Sequence, residues 1–156
     1  MKVPAPAPDN RYLADHAAVL LASYARLTGR ELVPAGDAPA RARALYEAPF
    51  VVVSHDTAPD PVFSYANLAA QRLFGMGWDE FVTLPSRCSA EPVERAEREV
   101  LLRRVAEQGY IDDYAGVRIA KDGRRFRIEA AVVWNLTGAD GRPAGQAATF
   151  AQWKYL

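Results

Sequence analysis

The stretch Val62–Glu91, VFSYANLAAQRLFGMGWDEFVTLPSRCSAE, decides the fold predicted for this chain. It begins with a short aromatic strand over Val62–Tyr65, and a small helix follows from Asn67. A second helical turn begins near Asp79 and is closed by Pro85, because proline cannot continue a helix. Helices this short are not stable alone in water. The stretch therefore predicts an irregular helical layer that packs across one face of a sheet.

The segments on either side of this stretch supply the rest of the sheet. An apolar, β-branched run precedes it and predicts a hairpin with the Val62 strand, and a long helix follows it. These segments are Phe50–Ser54, Ala90–Gln108, and three further strands over Tyr114–Ala120, Arg124–Leu136 and Gln146–Trp153. A Lys-Asp-Gly turn joins the first two of those strands. We therefore expect an α+β fold, with a five-stranded antiparallel sheet, helices on one face and an N-terminal helical extension.

The longest predicted strand has one wholly apolar face. Its alternate residues are Phe126, Ile128, Ala130, Val132, Trp134 and Leu136. Since alternate residues of a strand face the same side, we expect this row to face the helices. Ala130 is the small member of the row and is expected to leave room for a ligand. The opposite face is apolar only late in the strand, at Ala131 and Val133, which need cover from water.

The N-terminal part of the chain predicts a flexible lead over residues 1–10 and a helical extension over residues 11–48, followed by a domain over residues 49–156. The first helix carries one apolar stripe, formed by Leu13, Ala17, Leu20, Tyr24 and Leu27. The stripe can pack on the sheet of its own chain or on the same helix of a second copy in a homodimer. Because it covers only about two heptads, packing on its own sheet is favoured.

Composition excludes several classes of partner. Acidic and basic residues number 19 each among 156 residues, so the chain is not predicted to bind nucleic acid or an anionic membrane. Cys88 is the single cysteine, and no apolar run approaches the ~20 residues that span a bilayer. The chain does not open with an apolar segment of signal-peptide length. These features predict a cytoplasmic protein.

The order of elements and a set of short motifs resemble known families. Two strands, short helices, one long helix and three antiparallel strands are similar to the PAS fold. The motifs are Phe63–Asn67, Trp78–Phe81, Leu84–Arg87, Ser89–Glu91, Gly109–Ile111, Tyr114–Ile119, Gly123–Phe126, Val133–Leu136 and Gly145–Ala148. Together they resemble the MEKHLA family, a PAS-related domain, over most of the chain from about residue 16. The resemblance implies sensing or regulatory protein contact in a small bacterial protein, and it implies no chemistry.

Cys88 lies where flavin-binding light sensors of the PAS class carry their adduct-forming cysteine. Those sensors continue with an Arg-Phe-Leu-Gln run, whereas Ser89–Pro92 follows here, and Ile128 stands where they place a flavin-binding Asn. A flavin ring needs several polar partners. We therefore expect a structural thiol, with no bound flavin and no blue-light adduct. His16 and His55 form no metal-ligand spacing with Cys88, so neither a metal site nor an enzyme is predicted.

The candidate ligand pocket lies between the short helices and the sheet. Its predicted lining is Phe74, Trp78, Phe81, Arg87, Cys88, Ile128, Ala130, Trp134 and Gln146. Such a pocket is expected to hold a small, largely apolar ligand or a protein partner. Arg87 can anchor a carboxylate or phosphate there, or pair instead with Asp79 or Glu91. The alternative is a ligand-free interaction and dimerisation module, and a flavin- or other cofactor-binding sensor ranks third. No cofactor is expected.

Overall fold

The structure is a computed structural model that describes residues 3–90 and 92–156, apart from the side chains of residues 92–95 and 98. Met1 and Lys2 of the predicted lead and Glu91 of the opening stretch lie outside the described residues. The helices are α1 Ala14–Thr28, α2 Ala38–Tyr46, α3 Leu68–Phe74, α4 Trp78–Phe81 and α5 Pro92–Gln108, with 3-10 turns at Pro8–Leu13 and Ser86–Ser89. The strands are β1 Val51–His55, β2 Phe63–Ala66, β3 Tyr110–Ile119, β4 Arg125–Thr137, β5 Pro143–Phe150 and β6 Gln152–Tyr155. In the described part of the chain, no helix has the length and apolar content needed to cross a membrane.

All strand pairs are antiparallel, and the main path through the sheet is β2-β1-β5-β4-β3. The predicted last strand is interrupted at Ala151 and forms two strands, β5 and β6. β6 pairs with residues 126–129 of β4, and β5 pairs with residues 132–137. The predicted antiparallel sheet is therefore confirmed, with six strands in place of five. We call the face of the sheet that packs against α3 and α5 the inner face, and the face that packs against α1 the outer face.

A bulge at Ala130 reverses the alternation of β4. Ala130 is exposed and has a φ of 52°, in the left-handed region, so it adds one residue between the parts of β4 that pair with β6 and with β5. Before the bulge, Phe126 and Ile128 face the inner side. After it, Ala131 and Val133 continue the inner face. The prediction that the even-numbered residues from 126 to 136 share one face is therefore wrong, and Ala130 is not a small member of the inner row.

The first helix, α1, covers the outer face of the sheet. Trp134 is fully buried beneath it, and its ring meets Tyr24 edge-on with centroids 5.0 Å apart. The indole Nε1 of Trp134 donates to the Leu20 carbonyl at 3.3 Å. The apolar stripe of α1 thus packs on its own sheet, as predicted. It covers Trp134 and Leu136, however, and not Ala131 and Val133, because the bulge exchanged the two rows. A homodimer through this helix stays a prediction.

The segment before α1 also contacts the domain. The Nε1 of Trp78 donates to the Val3 carbonyl at 2.9 Å. Within the segment, the Asn10 side chain accepts from the Ala7 N–H at 2.9 Å and donates to the Ala5 carbonyl at 2.8 Å. The sequence indicated none of these contacts, since an alternating Pro-Ala run carries no signal of the surface on which it lies.

Candidate functional site

A cavity lies between α5 and the inner face of the sheet. The cavity has a volume of ≈ 70 Å³, enough for roughly five water molecules at ~10–15 Å³ each. Its apolar walls are formed by Val53, Phe63, Phe74, Leu101, Leu102, Ile128, Val133, Ala148 and Phe150. These residues come from two helices and four strands that are far apart in the chain. The cavity therefore exists only once the sheet and α5 have come together.

Tyr114 and Arg118 form a polar unit on the floor of this cavity. Tyr114 pairs with Ala131 and Arg118 with Phe126 across the β3–β4 ladder, which places both on the inner face. The Nη2 of Arg118 donates to the Tyr114 hydroxyl at 2.9 Å, and the guanidinium carbon lies 5.4 Å from the centre of the Tyr114 ring. A hydrogen bond and a cation–π contact thus hold the guanidinium beside the phenol.

The charge of Arg118 is buried without an acidic partner. Its residue surface is 8% exposed, and its other hydrogen bond goes to the Val117 carbonyl at 2.9 Å. Both acceptors are uncharged, and among the described residues no carboxylate pairs with the guanidinium. A guanidinium carries more N–H donors than these bonds use. Burial of an unpaired charge costs free energy, so this group can accept an anion at a gain.

Gly116 makes the space in which the Tyr114 ring lies. It sits between Tyr114 and Arg118 on the inner face of β3. A Cβ built on Gly116 would collide with the hydroxyl and ring carbons of Tyr114. The ring therefore lies directly over the glycine backbone, an approach that a side chain would block.

We expect Gly116→Ala to displace the Tyr114 ring and to lower the free energy of unfolding by about 1–3 kcal/mol, because the added methyl overpacks the site. Urea denaturation and the NMR shifts of the Tyr114 ring measure the two effects. Gly36→Ala is the matched control, since a Cβ there meets its nearest atom at an ordinary 3.6 Å. A Gly116→Ala protein as stable as the control, with unmoved ring shifts, would contradict the geometry.

Gln146 links the cavity to α5. Its Nε2 donates to the Asn135 Oδ1 at 2.9 Å and to the Leu102 carbonyl at 3.4 Å. Asn135 in turn donates through Nδ2 to the Val105 carbonyl at 2.9 Å. The Gln146 Oε1 is buried without a hydrogen-bond partner in the described part of the chain. These bonds join β4 and β5 to α5. The Oε1 of Gln146 remains as an acceptor for a hydrogen-bond donor.

The structure brings together only part of the predicted pocket. Phe74, Ile128 and Gln146 line the cavity. Phe81 lies behind Phe74, with ring centroids 5.4 Å apart. Trp78 and Trp134 pack in the outer-face cluster, on the other side of the sheet.

Arg87 and Cys88 also lie outside the cavity lining. The Nε of Arg87 is 3.1 and 3.2 Å from the two carboxylate oxygens of Asp60, and this pairing raises the pKa of Arg87. Arg87 therefore pairs with Asp60, in the connection between β1 and β2, and not with Asp79 as one alternative predicted. Glu91, the other predicted partner, lies outside the described residues. The partly buried thiol of Cys88 lies in the Ser86–Ser89 turn. Among the side chains that the structure describes, no group of three or more His, Cys, Asp or Glu could hold a metal ion.

The pocket prediction did not include Tyr114 and Arg118. Their alternation with Gly116 in YAGVRI was the available signal, because residues two apart on a strand share a face and the glycine frees space between them. The signal identifies a shared face. It does not identify the inner one.

The fold is that of a PAS domain. The crystal structure of the PAS domain of a protein from Colwellia psychrerythraea is 17% identical, with a TM-score of 0.62, over 75% of this chain and 94% of that one. A light-oxygen-voltage domain studied with a flavin analogue is 19% identical, with a TM-score of 0.58, over 75% of this chain and 84% of that one. An RNA-binding light-oxygen-voltage receptor is 23% identical, with a TM-score of 0.56, over 69% of this chain and 30% of the receptor. At these identities the likeness shows the fold alone.

The chain belongs to the MEKHLA domain family, whose model matches residues 14–155. The matched region includes α1 and α2 as well as the sheet. No curated protein has a sequence that matches this one. The family and the fold together define a PAS-related domain.

Proposed function

We propose that this protein is a PAS-type sensory module that binds a small, largely apolar molecule in the cavity between α5 and the inner face, and does not transform it chemically. The observation that carries the proposal is the cavity itself, a largely apolar space of ≈ 70 Å³ with Tyr114, Arg118 and Gln146 among its polar groups. Small-molecule sites have this composition, with apolar walls and a few placed polar groups.

The helix α5 is the element through which binding would act. Leu101 and Leu102 of α5 line the cavity. The same helix is joined to the sheet through the Gln146 and Asn135 side chains. A ligand that packs against these leucines favours one position of α5 over others, which is the differential contact that a conformational response needs.

The residues do not fit a flavin. The space is far smaller than a tricyclic ring system, and the wall at Ile128 is apolar. Cys88 is not among the lining residues. The expectation that light forms no adduct at Cys88 stays a prediction, which an absorbance spectrum of the freshly purified protein tests.

A ligand-free interaction and dimerisation module is the second candidate, and the small size of the cavity favours it. The outer face is covered by α1 and α2. If the inner face is equally closed in solution, the protein regulates by contact alone.

Filling the cavity separates the two candidates. Ala148 lines it and is partly buried. We expect the wild-type protein to bind pentanol saturably in an NMR titration, and Ala148→Leu to weaken that binding by about tenfold or more while changing the unfolding free energy by at most ~1–3 kcal/mol. The control is Ala115→Leu at an exposed position of β3. If the wild type shows no saturable binding and native mass spectrometry detects no retained molecule, the ligand-free candidate stands and the sensor proposal fails.

A further inference from the structure

We infer that the cavity binds a short-chain monocarboxylic acid, with its carboxylate held by Arg118 and Tyr114 and its apolar tail between Phe74, Ile128 and Val133. The inference rests on the proposed function, because it names the ligand class of that same site.

The first argument is the unpaired charge. The Arg118 side chain faces a cavity whose described lining residues include no Asp and no Glu. Its protein acceptors, the Val117 carbonyl and the Tyr114 hydroxyl, are both neutral. A guanidinium that is 8% exposed is poorly solvated by water, and an anion restores the lost interaction.

The second argument is the geometry of the donors. A guanidinium binds a carboxylate through parallel N–H groups, and bidentate pairs of this kind are strong and directional. The Tyr114 hydroxyl accepts from Arg118 Nη2 at 2.9 Å, so its own proton is free to donate to an oxygen of the ligand. The collision that a Cβ on Gly116 would cause shows that the phenol is held close to the strand, and thus in place.

The third argument is the match of charge and size. One buried cation neutralises one negative charge, so a phosphate dianion or a dicarboxylate would bring a surplus charge into apolar walls. A space for roughly five water molecules corresponds to an acid of about six heavy atoms. Butanoate has this size, a single charge and an apolar tail.

The experiment compares butanoate with butanamide, which has the same shape and no charge, by NMR titration at neutral pH. We expect the wild-type protein to bind butanoate about 10–100-fold more tightly, the factor that a hydrogen-bonded charge contributes. Arg118→Gln should remove the preference. Arg127→Gln, at an exposed arginine of β4, is the matched control and should retain it. Ala148→Leu should weaken butanoate binding as well, if the acid lies in the cavity.

Each outcome separates the inference from the proposed function. Equal binding of butanoate and butanamide, or an unchanged preference in Arg118→Gln, would overturn the carboxylate inference while leaving a cavity that binds apolar molecules. Tighter binding of inorganic phosphate than of butanoate would overturn it as well. If butanoate, butanamide and pentanol all fail to bind and native mass spectrometry detects no retained molecule, the proposed function fails. Should Arg118→Gln not fold, the acid-against-amide comparison on the wild type still decides.

Discussion

Replacing Asn67 with alanine is expected to lower the free energy of unfolding by roughly 4 kcal/mol or more. Asn67 is fully buried between the end of β2 and the start of α3. Its Oδ1 accepts from the backbone N–H groups of Val52 and Ala70 at 3.0 and 3.1 Å. Its Nδ2 donates to the carbonyls of Leu45 and Phe50 at 3.1 and 2.8 Å. One amide thus joins α2, β1 and α3, and its loss leaves buried backbone groups unsatisfied at ~1–3 kcal/mol each.

Chemical denaturation followed by circular dichroism measures this loss. Asn10→Ala is the matched control, because Asn10 makes two local hydrogen bonds in a partly buried segment. We expect that control to cost at most about 1–2 kcal/mol. If Asn67→Ala proves no more destabilising than Asn10→Ala, the backbone groups around Asn67 find other partners and the junction is not what holds these elements together.

Deleting residues 1–29 is expected to abolish stable folding of the remaining chain. The deletion removes Leu20, Leu21 and Tyr24 from the outer-face cluster and uncovers Trp134 and Leu136. Burial of each large apolar side chain contributes about 1.5–3 kcal/mol, so the sum is comparable with the ~5–15 kcal/mol by which a whole domain is stable. The uncovered sheet face is a large apolar patch, which favours aggregation.

Size-exclusion chromatography and thermal unfolding of the truncated chain measure the effect. Point variants in the full chain keep the test informative if the truncated protein is insoluble. Leu20→Ala should lower the unfolding free energy by ~2–5 kcal/mol, whereas Asp15→Ala, at an exposed position of the same helix, should change it by about 0.5 kcal/mol or less. A truncated protein with unchanged solubility and melting temperature would show that α1 is dispensable to the sheet.

The sequence determined the parts of this protein that depend on neighbouring residues. The Lys121–Gly123 turn between apolar strands, the apolar stripe of α1 and the start of α3 at Asn67 were all predicted and are present. Each is a local pattern, set by a strand period of two, a helix period of 3.6 or one side chain near a helix end. The PAS-type order of elements followed from these patterns.

Only the tertiary structure decided which residues face the cavity. The alternation of inner and outer side chains along β4 is interrupted at Ala130, where the partner strand changes from β6 to β5. No residue of β4 by itself predicts that change. The bulge moves Trp134 to the outer face and brings Val133 to the cavity. Likewise, Arg87 pairs with Asp60 across 27 residues. A cavity is the space that packing leaves between distant elements, so its lining depends on how those elements meet and not on any one of their sequences.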